Sequence, residues 1–328
     1  MRTAVLAATL LWASGGSAQT KSAEPLVFRL ATEQLEASSI QVAGGITVVA
    51  ADWAALIFTP ISRTTILGTK PSTCSGTLLG PNTVLTAAHC VDTFDGQAIV
   101  EPKLAVGARE MPLKCTIFPP YLELKEKVRV PRGSQDYALC RVDDAGNPPE
   151  VLRQLTYEVV ETGSVLASGD KVLVTGYGCT TLTIVDGDLE TIKSLRTLNI
   201  GDSSIERAPG GVPGQPMYVT TRSAEAKGVS LCPGDSGGPL FSGATQDQPD
   251  GVRRVRAVNS MIDLDERLVE VATPGGAGKV TVKVYDVISS MSSLASLDFR
   301  RWAEKWAKDN NVSACGINTK PGVGQCRK

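Results

Sequence analysis

The chain is expected to fold as an all-β protein, and three observations say so. From Trp53 to Ile288, short runs rich in Val, Leu, Ile and Thr recur, each closed by Gly, Pro, Asn or Asp. That is the punctuation of short strands in a barrel or sandwich. Only one stretch carries a clear helical period: in Leu297–Lys308, Phe299, Trp302, Ala303 and Trp306 fall at i, i+3, i+4 and i+7, with Asp298 near the start. The cysteines number eight, an even count, behind a chain start of the kind that directs export, so disulfides are their default use.

At that start, Arg2 precedes an apolar run from Ala4 to Trp12, and Gly16-Ser17-Ala18 supplies the small residues that signal peptidase needs. Residues 1–18 are therefore expected to be a signal peptide cleaved near Ala18, with the protein secreted to the extracellular space or the periplasm. A membrane anchor would need about 20 apolar residues, and this run is too short. Residues 19–41 are polar, alanine-rich and weakly periodic, as a pro-segment or linker would be.

Strands are expected near 53–58, 74–79, 83–87, 99–106, 111–118 and 137–142. A second set is expected near 170–176, 191–198, 217–221, 238–242, 252–262, 266–271 and 279–288. Between the sets, Asp-Asp-Ala-Gly-Asn-Pro-Pro breaks the pattern and marks a boundary in the Asp143 to Leu152 region. After the helix, residues 311–328 form a Gly-, Pro- and Asn-rich tail holding Cys315 and Cys326.

Composition excludes some functions. The net charge is −1 and aromatic residues make up 5%, with no basic stripe, which does not suit a nucleic-acid partner. The sole histidine is His89 and no Cys-x-x-Cys pair occurs, so neither a zinc site nor any other metal or cofactor is expected.

The chemistry centres on Cys232-Pro233-Gly234-Asp235-Ser236-Gly237-Gly238-Pro239-Leu240. Gly234 and Gly238 permit backbone geometries that strain other residues, so Ser236 can sit on a tight turn facing a cleft as a nucleophile. The same turn can aim the N–H groups of Gly234 and Ser236 at one point, where they would stabilise an oxyanion. A serine hydroxyl needs a base, normally histidine, and His89 stands in Leu85-Thr86-Ala87-Ala88-His89-Cys90. Between them, Asp136 precedes the apolar run Tyr137-Ala138-Leu139 and is the candidate to orient the imidazole. Gly234 to Gly238 also fits the Gly-x-Ser-x-Gly elbow of α/β-hydrolases, but there the histidine follows the serine, and none follows Ser236.

These three segments, in the order His89, Asp136, Ser236 and separated by 47 and then 100 residues, resemble the chymotrypsin/trypsin family of serine endopeptidases. The resemblance implies two six-stranded antiparallel β-barrels with the active site between them, at 42–148 and 149–296 of a domain spanning 42–310. A C-terminal helix at 297–309 would dock on the second barrel. His89 and Asp136 would come from the first barrel and Ser236 from the second. The activity implied is peptide-bond hydrolysis through an acyl-enzyme, with proteins or peptides as substrates and a proteinaceous inhibitor admitted as a partner.

Gln41-Val42-Ala43-Gly44-Gly45-Ile46 resembles the family's mature start, which implies a zymogen. Cleavage by an activating protease would free the Val42 α-amino group to pair with Asp235, since a buried carboxylate needs a cation. An ordinary Gly-Gly turn is the plainer reading of the same residues. Gln41 is also not the basic residue that trypsin-like activators cut after.

In the family, Cys74 and Cys90 are bridged beside the catalytic histidine. Cys115 and Cys140 lie on strands expected to be neighbours, and Cys315 and Cys326 are close enough to close a small loop in the tail. Cys179 and Cys232 remain; this departs from the family, where the cysteine before the nucleophile pairs downstream. The family's pocket floor falls at Ser230, six residues before Ser236, and carries no charge, so cleavage after Arg or Lys is not expected. Ser260 and Ile262 would lie on the pocket's strand edge, where a branched Ile262 would shorten the pocket and favour small apolar residues. Lys283 reaching the pocket would instead select acidic residues; a solvated lysine on an alternating strand is the blander reading. A catalytically silent binding protein and a secreted esterase are the competing functions, the first usually lacking a triad member.

Overall fold

A computed structural model describes residues 26–33, 43–59, 63–65, 68–70, 74–92, 102–127, 134–185, 187–193, 198–210, 218–273 and 278–328. The expected signal peptide, most of the expected pro-segment and Val42 lie outside these residues. The first half is a closed barrel of β1 (Val27–Leu30), β2 (Leu56–Phe58), β3 (Ser75–Gly80), β4 (Thr83–Thr86), β5 (Lys103–Val106), β6 (Arg109–Ile117) and β7 (Ala138–Val142). Its strands run in the order β1-β2-β3-β4-β7-β6-β5.

The expectation of six antiparallel strands in this barrel is corrected to seven. β1 pairs antiparallel with β2 and parallel with β5, so a segment upstream of Val42 closes the ring. Strand character follows position: every residue of β3 and β4 is buried, giving continuous apolar or small runs, whereas β6 alternates, with Met111, Leu113 and Ile117 inward. Cys115 and Cys140 stand directly opposite each other on β6 and β7 and are bridged.

The second half is a sheet of β8 (Lys171–Gly176), β9 (Asn199–Arg207), β10 (Tyr218–Ser223), β11 (Pro239–Ser242), β12 (Arg254–Ala272) and β13 (Lys279–Ser293), plus the short strand Ile46–Thr47 added to β9. The extra β8–β9 pairing turns the six long strands into a ring, so the six-strand expectation holds for this half with one short strand appended. The strands expected at 252–262 and 266–271 are one continuous strand, β12, which pairs with β13 as far as Ala272 opposite Lys279. Its outer half alternates charged and apolar residues on an exposed ribbon, so no breaker interrupts the pairing.

The helix α1 (Leu297–Asp309) is capped by Ser296, whose side chain accepts a hydrogen bond from the Phe299 N–H at 3.0 Å. It docks on the first barrel, correcting the expectation of the second. Phe299 meets Tyr137 with ring centroids 4.9 Å apart, Trp302 meets Phe118 at 5.2 Å, and Trp306 Nε1 donates to Thr116 Oγ1 at 3.0 Å. The aromatic residues that close β6 and open β7 supply the larger apolar seat.

The tail is an integral part of the fold. Cys315 N–H donates to Leu79 O, Val160 N–H to Cys315 O, and Arg327 N–H to Tyr157 O, stitching the inter-barrel linker to β3. Beneath it, Arg253 and Glu158, both wholly buried, pair at 2.6 Å, and the guanidinium lies 3.7 Å from the centre of the Trp53 ring. Across the barrels, Phe58 stacks on Tyr177 at 4.7 Å. A buried ion pair contributes little net stability against an apolar substitute, but breaking one partner strands a charge.

Candidate active site

His89 sits on a single helical turn, Ala88–Val91, that follows β4 after an extended Ala87. Asp136 ends the approach to β7 and is 3% exposed. Its Oδ1 accepts the His89 backbone N–H at 2.9 Å, and its Oδ2 lies 2.6 Å from His89 Nδ1. Ser260 Oγ donates to that same Oδ2 at 2.6 Å, reaching across from the second barrel. Burial alone would raise the Asp136 carboxyl, yet the neighbouring imidazole and the hydrogen bonds from His89 and Ser260 hold it below the ordinary aspartate range. With Nδ1–H given to the carboxylate, Nε2 is left as the acceptor.

Ser236 is held by both halves. Its carbonyl oxygen accepts the Ser75 N–H at 2.6 Å, and Ser75 Oγ donates to Gly234 O at 3.0 Å. From the second barrel, Gly237 N–H donates to Asn259 O, and Asn259 N–H to Gly238 O, each at 2.8 Å. Gly237 has φ +86°, and a Cβ there would stand 2.2 Å from Ser75 O, so only glycine fits. Ser236 Oγ lies 3.5 Å from Ser260 O. Cys90 Sγ lies 3.9 Å from His89 Nε2 and 3.6 Å from Ser236 O, so the imidazole and the serine backbone meet at one disulfide sulfur.

The turn leaves two donors open. The N–H groups of Asp235, Gly237 and Gly238 are bonded within the chain, whereas no described residue accepts from Gly234 or Ser236. Asp235, 1% exposed, points away from the groove and accepts N–H groups from Gly178 at 2.6 Å and Cys232 at 2.8 Å. Burial raises its carboxyl to about 7, outweighing these backbone bonds, and no described cation pairs with it. Gly176 makes room for it, since a Cβ there would stand 1.9 Å from Asp235 Oδ1. Nearby, Ala43 is 2% exposed and its carbonyl accepts the Ser230 N–H at 3.3 Å, which brings the chain next to Val42 against the segment leading to Ser236.

Ser230 is fully buried and its hydroxyl has no hydrogen-bond partner among the described residues. Ile262 is half-buried and pairs in register with Ser289, whose Oγ accepts the Leu231 N–H at 2.9 Å. Lys283 is not at this site: it pairs opposite Leu268 on the exposed ribbon, and its ammonium is bound to Glu266 at 2.8 Å. The ribbon's register keeps the solvated-lysine reading of Lys283 and takes that side chain out of the pocket. Asn259 opens the stretch Asn259-Ser260-Met261-Ile262 expected as the pocket's strand edge, whereas Ser75 and Ser289 were not anticipated as parts of the site; only the adjacency of Ser75 to Cys74 gave any signal. The bridges are Cys74–Cys90, Cys115–Cys140, Cys179–Cys232 and Cys315–Cys326.

Two strand rings meeting over this group of side chains define the class of trypsin-like double-barrel proteins. The family model described as Trypsin matches residues 57–288, and the chain belongs to that family. Granzyme M of Homo sapiens is 28% identical over 179 residues, covering 52% of this chain and 64% of that protein. The chain thus spans just under two thirds of that relative's length. A solved Glu endopeptidase in complex with MPD aligns over 81% of this chain and 99% of its own, with 13% identity and a TM-score of 0.44. A thermostable serine protease AL20 from an extremophilic microorganism aligns over 74% and 93%, with 14% identity and a TM-score of 0.45.

Proposed function

We propose that the protein is a secreted serine endopeptidase, made as a zymogen, that hydrolyses peptide bonds through an acyl-enzyme. The observation that carries this is the grip of Asp136 on His89 at both Nδ1 and the backbone N–H, beside a serine turn with two open N–H donors. His89 Nε2 takes the Ser236 proton as Oγ attacks the scissile carbonyl. Gly234 and Ser236 N–H groups hold the oxyanion, and the imidazolium returns its proton to the leaving amine. Water, activated by the same imidazole, then releases the acyl group. Four disulfides in one chain support export to an oxidising compartment.

Cleavage before Val42 supplies the α-ammonium that the buried Asp235 lacks; the placement of Ala43 against Ser230 supports this route. The uncharged Ser230 and the branched Ile262 support a shallow, uncharged primary pocket that takes small apolar residues and not Arg or Lys. The domain proposed takes in Val27–Leu30 as a strand of its first barrel and residues 311–328 as its packed tail, with the barrels divided near 148 and a signal peptide ahead of them. The test is Ser236→Ala. The variant is expected to fold and be secreted, to take up no fluorophosphonate and to lose on the order of 10⁶ in kcat. Unchanged hydrolysis by that variant would sink the proposal.

A further inference from the structure

The first barrel holds a strand that the activation cleavage would cut loose. Leu26 to Ala31 are all buried except the half-buried Arg29, and Phe28, Leu30 and Ala31 have no exposed surface. The Lys103 N–H donates to Leu26 O at 2.8 Å, ahead of the ladder that sets Val27, Phe28 and Arg29 beside Lys103, Leu104 and Ala105. On the other side Arg29 and Leu30 pair with Phe58 and Ile57. Glu33 Oε1 then accepts the Gly107 N–H at 2.6 Å, and Arg29 reaches back to Glu33 at 3.5 Å. The seam between β2 and β5 is thus filled by backbone pairing on both edges and by apolar side chains in the core. Without β1, two strand edges and the pocket around Phe28 would open to water.

Residues 1–41 hold no cysteine and the eight cysteines of the sequence pair among themselves, so no disulfide in it would retain this strand once the chain is cut before Val42. We infer that activation yields a non-covalent two-chain enzyme: the fragment ending at Gln41 stays in the β2–β5 seam as a permanent strand, and the seam is a binding site for that extended apolar segment. This rests on the cleavage proposed above. Because the same barrel carries His89 and Asp136, activity depends on keeping the fragment.

The experiment is gel filtration and native mass spectrometry of the activated full-length protein, followed by denaturing mass spectrometry of the active peak. Both fragments are expected in one native peak, separating only in denaturant. A peak of full activity holding only the chain that starts at Val42 would overturn the inference while leaving the cleavage reading intact. A fully active protein that proves uncut would end the cleavage reading instead. Retention is then decided on a full-length chain carrying an inserted specific protease site between Ser38 and Ser39: after cutting, loss of the light fragment overturns the inference and its persistence upholds it. In either cut form Phe28→Ala, milder than a charged substitution, is expected to weaken retention about a hundredfold, with activity falling in step.

Discussion

Ser260 Oγ and His89 Nδ1 converge on a single oxygen, Asp136 Oδ2, each at 2.6 Å. One hydroxyl from the second barrel therefore helps fix the carboxylate that orients the base in the first. Removing a hydrogen bond to a carboxylate removes a charge-assisted interaction but leaves the ion-pair geometry to the remaining donors. Ser260→Ala is expected to lower kcat about tenfold with little change in KM. Asp136→Asn, which offers a donor where Nδ1–H needs an acceptor, is expected to cost about 10⁴ in kcat. Steady-state kinetics on one peptide substrate checks both, and a Ser260→Ala loss as large as that of Asp136→Asn would refute the supporting role.

Asp235 makes the uncut chain sensitive to pH. Its folded carboxyl titrates at about 7 against an ordinary 3.8. Between those values the unfolded chain has released the proton and the folded chain still holds it, so stability falls as pH rises from about 4 to about 7 and levels off above. The loss is on the order of 4 kcal/mol. Denaturant unfolding of the uncut protein across that range is expected to show the decline, and Asp235→Asn to flatten it. In the cut enzyme an α-ammonium partner would favour the charged form and remove the decline.

Residue type at a spacing marked His89 before Cys90, Asp136 before Tyr137 and the turn from Gly234 to Gly238, and the structure brings His89 and Asp136 into hydrogen-bond contact. The pairing expected for Cys115 with Cys140 followed from strand adjacency. Val27-Phe28-Arg29-Leu30 could not be read in this way, because a four-residue run has too few alternations to announce a strand and its partners lie far along the chain. Lys283 was ambiguous because its distance from the pocket depends on how far β12 and β13 stay paired, a tertiary choice. The side on which α1 docks was equally hidden: its apolar stripe is plain, but the seat formed by Phe118 and Tyr137 exists only once the barrel closes.

The primary pocket proposed at Ser230 and Ile262 predicts a specificity. Ile262 stands opposite Ser289, and Ser230 contributes no charge, so a peptide library should be cut after small apolar residues. Ile262→Gly is expected to raise the kcat/KM for a large apolar residue relative to Ala about tenfold, the scale of a few methylenes. Lys283→Ala should leave the profile unaltered, since its ammonium is already committed to Glu266. A shift toward or away from acidic residues in that variant would restore Lys283 to the pocket.

Cys179, which opens the strand Cys179–Val185 after β8, is tied to Cys232, two residues before the proposed oxyanion donor Gly234, and Gly178 N–H holds Asp235 from the same side. Closing this 53-residue separation restrains the unfolded chain by about 4 kcal/mol in the chain-entropy account. It also fixes the turn whose N–H groups must meet a developing charge, and misplacing one such donor costs about 10²–10³ in kcat. A Cys179→Ala/Cys232→Ala double variant is therefore expected to lose both stability and turnover, with fluorophosphonate labelling slowed by a similar factor. The matching Cys315→Ala/Cys326→Ala variant loosens the tail far from the turn. It should lose stability while kcat stays near that of the parent, so equal kcat losses in the two variants would show that the Cys179–Cys232 bridge acts only through global stability.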